Sequence, residues 1–255
     1  ENPEESILLT AMALGQKSET SSAAVIRLCK SLGFNGFQEL KIRVAGDLQD
    51  RTDSGYRDIE ENEDYRDIIE KMTSNTIQTL RETVDMMSID SIEQTVEALR
   101  QAPSILFVGV GASFIAAKDA EQKFLRINKQ AQALADVHMA ATSIANKGPK
   151  DVVVGISFSG QTYEVAKLLK LAQQKKAKTI SITKYGQSPV TKYADIKLFT
   201  SAAREATFRS AATSSRIAQL HVIDILLMSL ASKDYDNTIK HIDATRDAVA
   251  FLRDY

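Results

Sequence analysis

Five short apolar runs in the C-terminal part of the sequence alternate with amphipathic helical segments, and this alternation restricts the fold more than any other feature. Helical patterns such as SFIAAKDAEQKFLRI and TYEVAKLLKLAQQK separate the runs. Continuous apolar strands joined by helices are typical of a parallel sheet that is covered on both faces. The predicted fold class is therefore α/β, with a parallel five-stranded doubly wound sheet. The strands are predicted at residues 104–109, 132–136, 152–158, 177–183 and 195–200.

The N-terminal part of the sequence has an all-helical pattern instead. Apolar residues recur at helical spacing in ESILLTAMALGQ and in SSAAVIRLCKSLGF, with only the polar stretch KSET between them. Ser21 is placed to cap the second helix and Gly33 to end it, and NGFQELKIRVAGDL predicts a further short helix. This order of helices is that of a helix-turn-helix. The apolar positions of the second helix are Ala24, Val25, Leu28, Cys29 and Leu32.

These patterns divide the chain into three parts. Residues 1–48 form the predicted helix-turn-helix unit, which is small and all-α. Residues 49–64 contain RTDSGYRDIEENED and lack an apolar period, so they are predicted to form an acidic, mobile linker. Residues 65–255 form the predicted sheet domain, with two helices before the first strand and two after the last.

Composition excludes several classes of protein. No apolar stretch approaches the roughly 20 residues of a membrane span, and the N-terminus is acidic, so a cytoplasmic protein without a membrane partner is expected. The one cysteine, Cys29, allows no internal disulfide and is expected to be a buried thiol. His138, His221 and His241 have no metal-ligand spacing, so no metal is expected.

The segment GISFSGQTYE has the composition of an anion site. An apolar strand ends there in small and polar residues, namely Ser157, Ser159, Gly160, Gln161 and Thr162. Free N–H groups of a first helical turn, the helix dipole and hydroxyl donors all favour a phosphate at such a point. Ser113 follows the first strand in the same way, and it faces the same pocket if the first and third strands are neighbours. The alternative is a serine-rich helix cap without a ligand.

The loop GVGASF after the first strand invites comparison with a dinucleotide fingerprint. Gly109 and Gly111 supply two of its glycines, but Phe114 occupies the third position, and only Asp136 is available as the acidic residue after the second strand. No nucleotide cofactor is therefore expected, and no other cofactor. The loop is instead predicted to let the backbone approach a small ligand, the alternative being a plain tight turn.

Segments in both parts of the sequence resemble a known family. Three segments of the predicted sheet domain resemble the sugar isomerase (SIS) domain. They are GVGASFIAAKDAEQKFLRI, DVVVGISFSGQTYEVAKLLKLAQQKKAKTISITKYGQSPVTKYAD and TSSRIAQLHVIDIL. LTAMALGQKSETSSAAVIRLCKSLGFNGFQELKIRVAGDL resembles the helix-turn-helix of RpiR/MurR-type bacterial transcription regulators. The resemblance implies a phosphosugar effector held by Ser113, Ser157, Ser159 and Thr162, and a homodimer or higher homo-oligomer formed through SIS helices. The helix that precedes ESILLTAMAL in this family is absent, so an N-terminally shortened unit is expected.

The presumed recognition helix carries candidate contacts to a DNA operator. Arg27 and Lys30 lie three residues apart on one face, with Ser21 and Ser22 at the start of the helix. Such side chains reach base edges and phosphates in a major groove. Lys41 and Arg43 are expected to contact the DNA backbone. The alternative is a solvated basic face on a helix that docks a protein.

The sequence also offers candidate bases for a sugar isomerase. They are Glu121, Glu164, Glu205 and His138, and each has an ordinary structural role as well. Glu205 is expected to accept hydrogen bonds from sugar hydroxyls without catalysis. The function expected is therefore a transcription regulator that senses a phosphosugar, for which the family suggests an amino-sugar phosphate such as N-acetylmuramic acid 6-phosphate. The alternatives are a phosphosugar isomerase or lyase, and an interaction module without a ligand.

Overall fold

The computed structural model describes residues 6, 9–31, 34–42, 44, 60–202 and 212–252. The chain divides into two compact units. The larger holds Asp64–Arg204 and Ala212–Tyr255, and the other holds the N-terminal residues up to Glu63. Each unit is described by itself.

The N-terminal unit contains α1 (Ala11–Lys17), α2 (Ser22–Ser31) and a further helical stretch at residues 37–42. Thr10 caps α1, since its Oγ1 accepts a hydrogen bond from the Ala13 N–H at 3.1 Å. Ser21 caps α2 in the same way, through the Ala24 N–H at 3.1 Å, which confirms the predicted cap. Gly33 and residues 45–59, which include most of the predicted linker, lie outside the described residues.

The two helices approach closely at Gly15. A Cβ atom at this position would lie 3.0 Å from the backbone of Thr20, Ser21 and Ser22, so only glycine fits without a shift of the turn. Val25 and Cys29 of α2 are buried, and Cys29 is a fully buried free thiol, as predicted. Leu28 is 54% exposed, so the expectation that it joins the apolar face is wrong. At about 100° per residue, Leu28 lies beside the stripe that Val25 and Cys29 form one turn apart.

The larger unit is built on a five-stranded sheet with the order β2-β1-β3-β4-β5, in which every neighbouring pair is parallel. Each strand lies within two residues of the predicted run at its start and end. The strands are β1 (Ile105–Gly109), β2 (Ala131–Leu134), β3 (Val152–Ile156), β4 (Lys178–Lys184) and β5 (Ile196–Thr200). The helices are α3 (Tyr65–Met86), α4 (Ile89–Gln101), α5 (Ala112–Leu125), α6 (Val137–Ala145), α7 (Tyr163–Gln174), α8 (Ser214–Lys233) and α9 (Tyr235–Phe251), with a 3-10 turn at Thr191–Tyr193.

Helices cover both faces of this sheet. On one face Phe107 of β1 packs among buried side chains of α4, α5 and α8, and on the other Leu106 and Val108 pack among those of α6 and α7. Side chains alternate between faces along a strand, so β1 and β3, which are buried throughout, are apolar at nearly every position. This confirms the predicted doubly wound α/β fold. Because all strands are parallel, their carboxyl ends meet at one edge.

Candidate functional site

The loop between β3 and α7 brings hydroxyl groups together at the carboxyl edge. Ser157 is 2% exposed, and its Oγ lies 2.7 Å from Oγ1 of Thr162. Ser159 Oγ is half-buried and accepts a hydrogen bond from the Gln161 N–H at 3.1 Å. The five predicted positions from Ser157 to Thr162 therefore form one tight turn that ends at the N-terminus of α7.

Gly160 is required at the centre of this turn. Its φ of +68° is one that side-chain-bearing residues rarely adopt, and a Cβ atom there would lie 2.3 Å from Ser188 Oγ. The Gly160 carbonyl also accepts the Val190 N–H at 3.1 Å. The segment after β4 therefore supports the turn after β3. No local pattern indicates this role of Ser188, because the contact joins two separate loops.

The turn after β1 lies beside the turn after β3. β1 and β3 are neighbours, with Gly109 opposite Ile156, which confirms the pairing on which a shared pocket depended. Ser113, in the first turn of α5, is half-buried, and its Oγ accepts a hydrogen bond from Gln219 Nε2 at 3.1 Å. Gln219 belongs to α8 and is 1% exposed. Sequence reasoning missed Gln219, although a lone amide within the apolar stretch RIAQLHVIDIL is a usable signal.

The helices that follow these two turns begin without a side-chain cap. Gly111 and Thr162 occupy the N-cap positions of α5 and α7, and neither gives a side-chain hydrogen bond to its helix. By contrast, Asp136 caps α6, since its Oδ1 accepts the Met139 N–H at 2.8 Å. N–H groups in the first turns of α5 and α7 are therefore left to other acceptors, and the positive ends of both helix dipoles favour an anion.

The carboxylate of Glu121 is held by a hydrogen bond and an ion pair. It accepts the Ala133 N–H at 2.8 Å and pairs with Lys118, and it therefore links α5 to β2. Burial raises the pKa of Glu121, but the hydrogen bonds from Lys118 and from the Ala133 N–H outweigh it and hold the pKa below its ordinary value of 4.5. A carboxylate with a lowered pKa and fixed partners is a poor general base.

The other three candidate bases are placed differently. Glu164 is exposed in the first turn of α7, where its charge complements the helix dipole. His138 is exposed in the first turn of α6. Glu205 lies outside the described residues.

We expect Glu121→Gln to lower the free energy of unfolding by about 1–2 kcal/mol at pH 7, because a charged acceptor is replaced by a neutral one. A lowered pKa in the folded state means that this contribution is complete above about pH 4.5 and is lost as the pH falls through the folded pKa. Urea unfolding of both proteins at pH 7 and pH 4 measures it. An equal difference at the two pH values would contradict this account.

The candidate DNA contacts lie on the exposed side of α2. Arg27 and Lys30 are exposed, Ser22 is half-buried and Ser21 is exposed with its hydroxyl engaged as the helix cap. Ile26 is 40% exposed on the same helix, an apolar position that the sequence reasoning did not consider. Lys41 Nζ donates to the Leu9 carbonyl at 3.1 Å, so Lys41 has a partner within the unit. The side chain of Arg43 lies outside the described residues.

Among the described residues, no three His, Cys, Asp or Glu side chains are grouped so that they could hold a metal ion. None of the described helices combines the length and the apolar character that crossing a membrane requires.

Comparison with known proteins assigns the family. The helix-turn-helix domain of the rpiR family matches residues 1–51, and the SIS domain matches residues 98–229. The HTH-type transcriptional regulator YbbH of Bacillus subtilis is 47% identical over 99% of this chain and 89% of its own length. The chain belongs to the RpiR family of helix-turn-helix transcription regulators. A second relative of this RpiR-family chain, an HTH-type transcriptional regulator of Caldanaerobacter subterraneus, is 40% identical over 99% of this chain and 89% of its own length.

A solved structure aligns with nearly the full length of this RpiR-family regulator. The Vibrio vulnificus NanR protein complexed with ManNAc-6P is 26% identical, with a TM-score of 0.69 over 98% of this chain and 89% of that chain. The predicted combination of a helix-turn-helix with a SIS domain in a transcription regulator is therefore confirmed.

Proposed function

We propose that this regulator changes its affinity for DNA when a phosphosugar binds at the carboxyl edge of its sheet. The observation that carries the proposal is the turn from Ser157 to Thr162, which gathers hydroxyls beside the uncapped start of α7. Ser113 and Glu205 are assigned to the same ligand, Ser113 from the neighbouring turn and Glu205 from its position after β5 in the sequence. The phosphate lies on N–H groups and hydroxyls, which bind it without a cation.

The proposed effector is an amino-sugar phosphate. The Vibrio vulnificus NanR protein, which is similar over nearly the full length of this chain, was solved with ManNAc-6P, and this supports an amino-sugar phosphate over unrelated phosphosugars. The phosphate turn itself does not distinguish one sugar from another, because its hydroxyls and N–H groups address the phosphate alone.

DNA is assigned to the exposed side of α2, through Ser21, Ser22, Arg27 and Lys30. Arg27 and Lys30 are exposed and close to each other on the helix, which suits contacts to base edges and phosphates of an operator. A protein that binds an operator in a bacterial cell works in the cytoplasm, and we propose that location.

The proposal makes the protein a sensor and not an isomerase or lyase. Glu121, one of the candidate bases, is held by Ala133 and Lys118, and Glu164 and His138 are exposed in helix first turns. Proton transfer at a sugar carbon requires a positioned base within hydrogen-bond reach. Incubation with ManNAc-6P followed by NMR tests the point, since conversion of the sugar would contradict it.

We also propose a homodimer formed through the helices of the larger unit. α5 and α8 pack against each other, and Ile115, Leu125 and Met228 on them are 48%, 50% and 66% exposed. Exposed apolar groups on adjoining helices suit a self-complementary contact between two copies. Sedimentation that gives a monomer at micromolar concentration would contradict the dimer.

The double substitution Ser157→Ala with Ser159→Ala tests the proposed sensor. We expect ManNAc-6P to raise the melting temperature of the unchanged protein and to alter its binding to DNA, and both responses to disappear in the variant. DNA binding without effector should persist, because α2 is untouched. Ser74→Ala, which removes an exposed hydroxyl from α3, is the matched control. A full response in the double variant would refute the assignment of the phosphate to this turn.

A further inference from the structure

A second polar group lies at the carboxyl edge, at the end of β5. Ser201 follows this strand and is fully buried, and its Oγ donates to Glu82 Oε2 at 2.5 Å. The Ser201 N–H donates to Thr83 Oγ1 at 3.0 Å. Glu82 and Thr83 belong to α3, so one helix supplies two partners of the residue that follows the strand.

These contacts fix how α3 runs past the sheet. Met86 shares a small cavity of about 70 Å³ with Leu198, in the middle of β5, whereas Thr83 and Glu82 reach Ser201. Followed from Met86 towards its N-terminus, α3 therefore runs towards the carboxyl edge of the sheet and past it. Glu82 therefore lies at the carboxyl edge, which is also the edge at which the turn after β3 lies.

The spacing of β3 and β5 at the carboxyl edge suits a sugar. β3 and β5 are two strands apart in the sheet, a distance of about 10 Å at the usual strand spacing. This span is comparable with the length of a hexose phosphate. A ligand whose phosphate lies at Ser157 and Thr162 thus extends its far carbons towards β5 and α3.

The carboxylate of Glu82 has the partners of a sugar-binding group. It is half-buried, and its oxygens accept hydrogen bonds from Gln78 Nε2 at 2.7 Å and from Ser201 Oγ. Within the part of the chain that the structure describes, no lysine or arginine forms an ion pair with it. Each carboxylate oxygen accepts more than one hydrogen bond, so capacity is left for further hydroxyl donors.

We propose that Glu82 determines sugar specificity, by accepting hydrogen bonds from hydroxyl groups at the end of the effector remote from its phosphate. The inference rests on the proposed phosphosugar site. A hydrogen bond to a charged acceptor is strong and directional, and a negative charge at this point repels a carboxylate on the ligand. Glu82 therefore selects hydroxyl-bearing sugars without an acidic group, such as ManNAc-6P, over acidic ones such as N-acetylmuramic acid 6-phosphate and 6-phosphogluconate.

Calorimetric titration of Glu82→Gln tests this selection. For ManNAc-6P we expect a loss of affinity of about 10- to 100-fold, since one charged hydrogen bond is worth that much. Affinity for inorganic phosphate should stay within twofold of the unchanged protein. The preference for ManNAc-6P over the two acidic sugars should shrink in the same variant, an effect that a merely structural role of Glu82 would not produce.

Three further variants separate recognition of the sugar by Glu82 from its contact with Ser201. Glu82→Asp keeps the charge and should recover part of the preference against acidic sugars, and Asp85→Asn removes an exposed carboxylate one turn away and should change nothing. Ser201→Ala removes the loop contact but leaves Glu82, and affinity for ManNAc-6P should fall less than in Glu82→Gln. Equal losses in Ser201→Ala and Glu82→Gln would overturn the inference.

The failure of this inference is distinguishable from failure of the proposed function. If the unchanged protein binds neither phosphosugars nor inorganic phosphate, the phosphate site is wrong and Glu82 has no effector to select. If the unchanged protein binds ManNAc-6P and Glu82→Gln binds it equally well with the same preferences, only the role of Glu82 is refuted.

Discussion

Gly160→Val is expected to abolish the response to a phosphosugar, with at least a 100-fold loss of effector affinity. Valine at a φ of +68° is strained by about 1–2 kcal/mol. Its Cβ would also overlap Ser188, because it would lie 2.3 Å from Ser188 Oγ. The turn must open, so the hydroxyls of Ser157 and Thr162 separate and the free energy of unfolding falls by about 3 kcal/mol. Titration with ManNAc-6P and urea unfolding measure the two effects.

Two variants show which part of the effect comes from which cause. Gly160→Ala combined with Ser188→Gly removes the overlap and leaves the unfavourable φ, so it should bind the effector better than Gly160→Ala alone. Gly148→Ala is the control, because a Cβ there would meet no atom within 4 Å. Retention of effector affinity within threefold in Gly160→Val would show that the turn does not hold the ligand.

Arg27→Ala combined with Lys30→Ala is expected to remove most of the DNA affinity, by about 100-fold. A base contact from arginine contributes about 1–3 kcal/mol, and each lost phosphate contact lowers the slope of log affinity against log salt by about 1. Affinity and salt slope are measured on a DNA fragment that the unchanged protein selects from a random library. Both side chains are exposed, so folding should be unaffected.

Lys240→Ala removes an equally exposed positive charge from α9 and is the control for this prediction. It should leave affinity and salt slope unchanged. If the two α2 substitutions change affinity no more than Lys240→Ala does, α2 is not the helix that reads the operator.

The fold followed from local patterns in the sequence. The five apolar runs predicted the five strands because a strand buried on both faces needs an apolar residue at nearly every position, as in β1 and β3. The cap at Ser21 followed as well, since Ser21 has few alternatives before an apolar helical period. Leu28 was misplaced because periodicity gives the centre of an apolar stripe more reliably than its width.

The candidate site was predictable only in part. The turn from Ser157 to Thr162 lies within one segment, and the small and hydroxyl-bearing residues of this segment were enough to predict an anion site. Other contacts at the carboxyl edge join distant parts of the chain: Gln219 reaches Ser113 across 106 positions, and Glu82 reaches Ser201 across 119. Contacts of this kind depend on which helices pack over which strands, and a single sequence carries no local sign of that.

Cys29 gives this protein a chemical reporter of its own. It is the one thiol in the chain, and it is fully buried on the inner side of α2. A thiol reagent can therefore react only when α2 leaves its packing, whatever the state of the sheet domain. The rate of labelling therefore measures the local opening of α2, the helix to which DNA contact is assigned in the proposal, separately from the unfolding of the rest of the molecule.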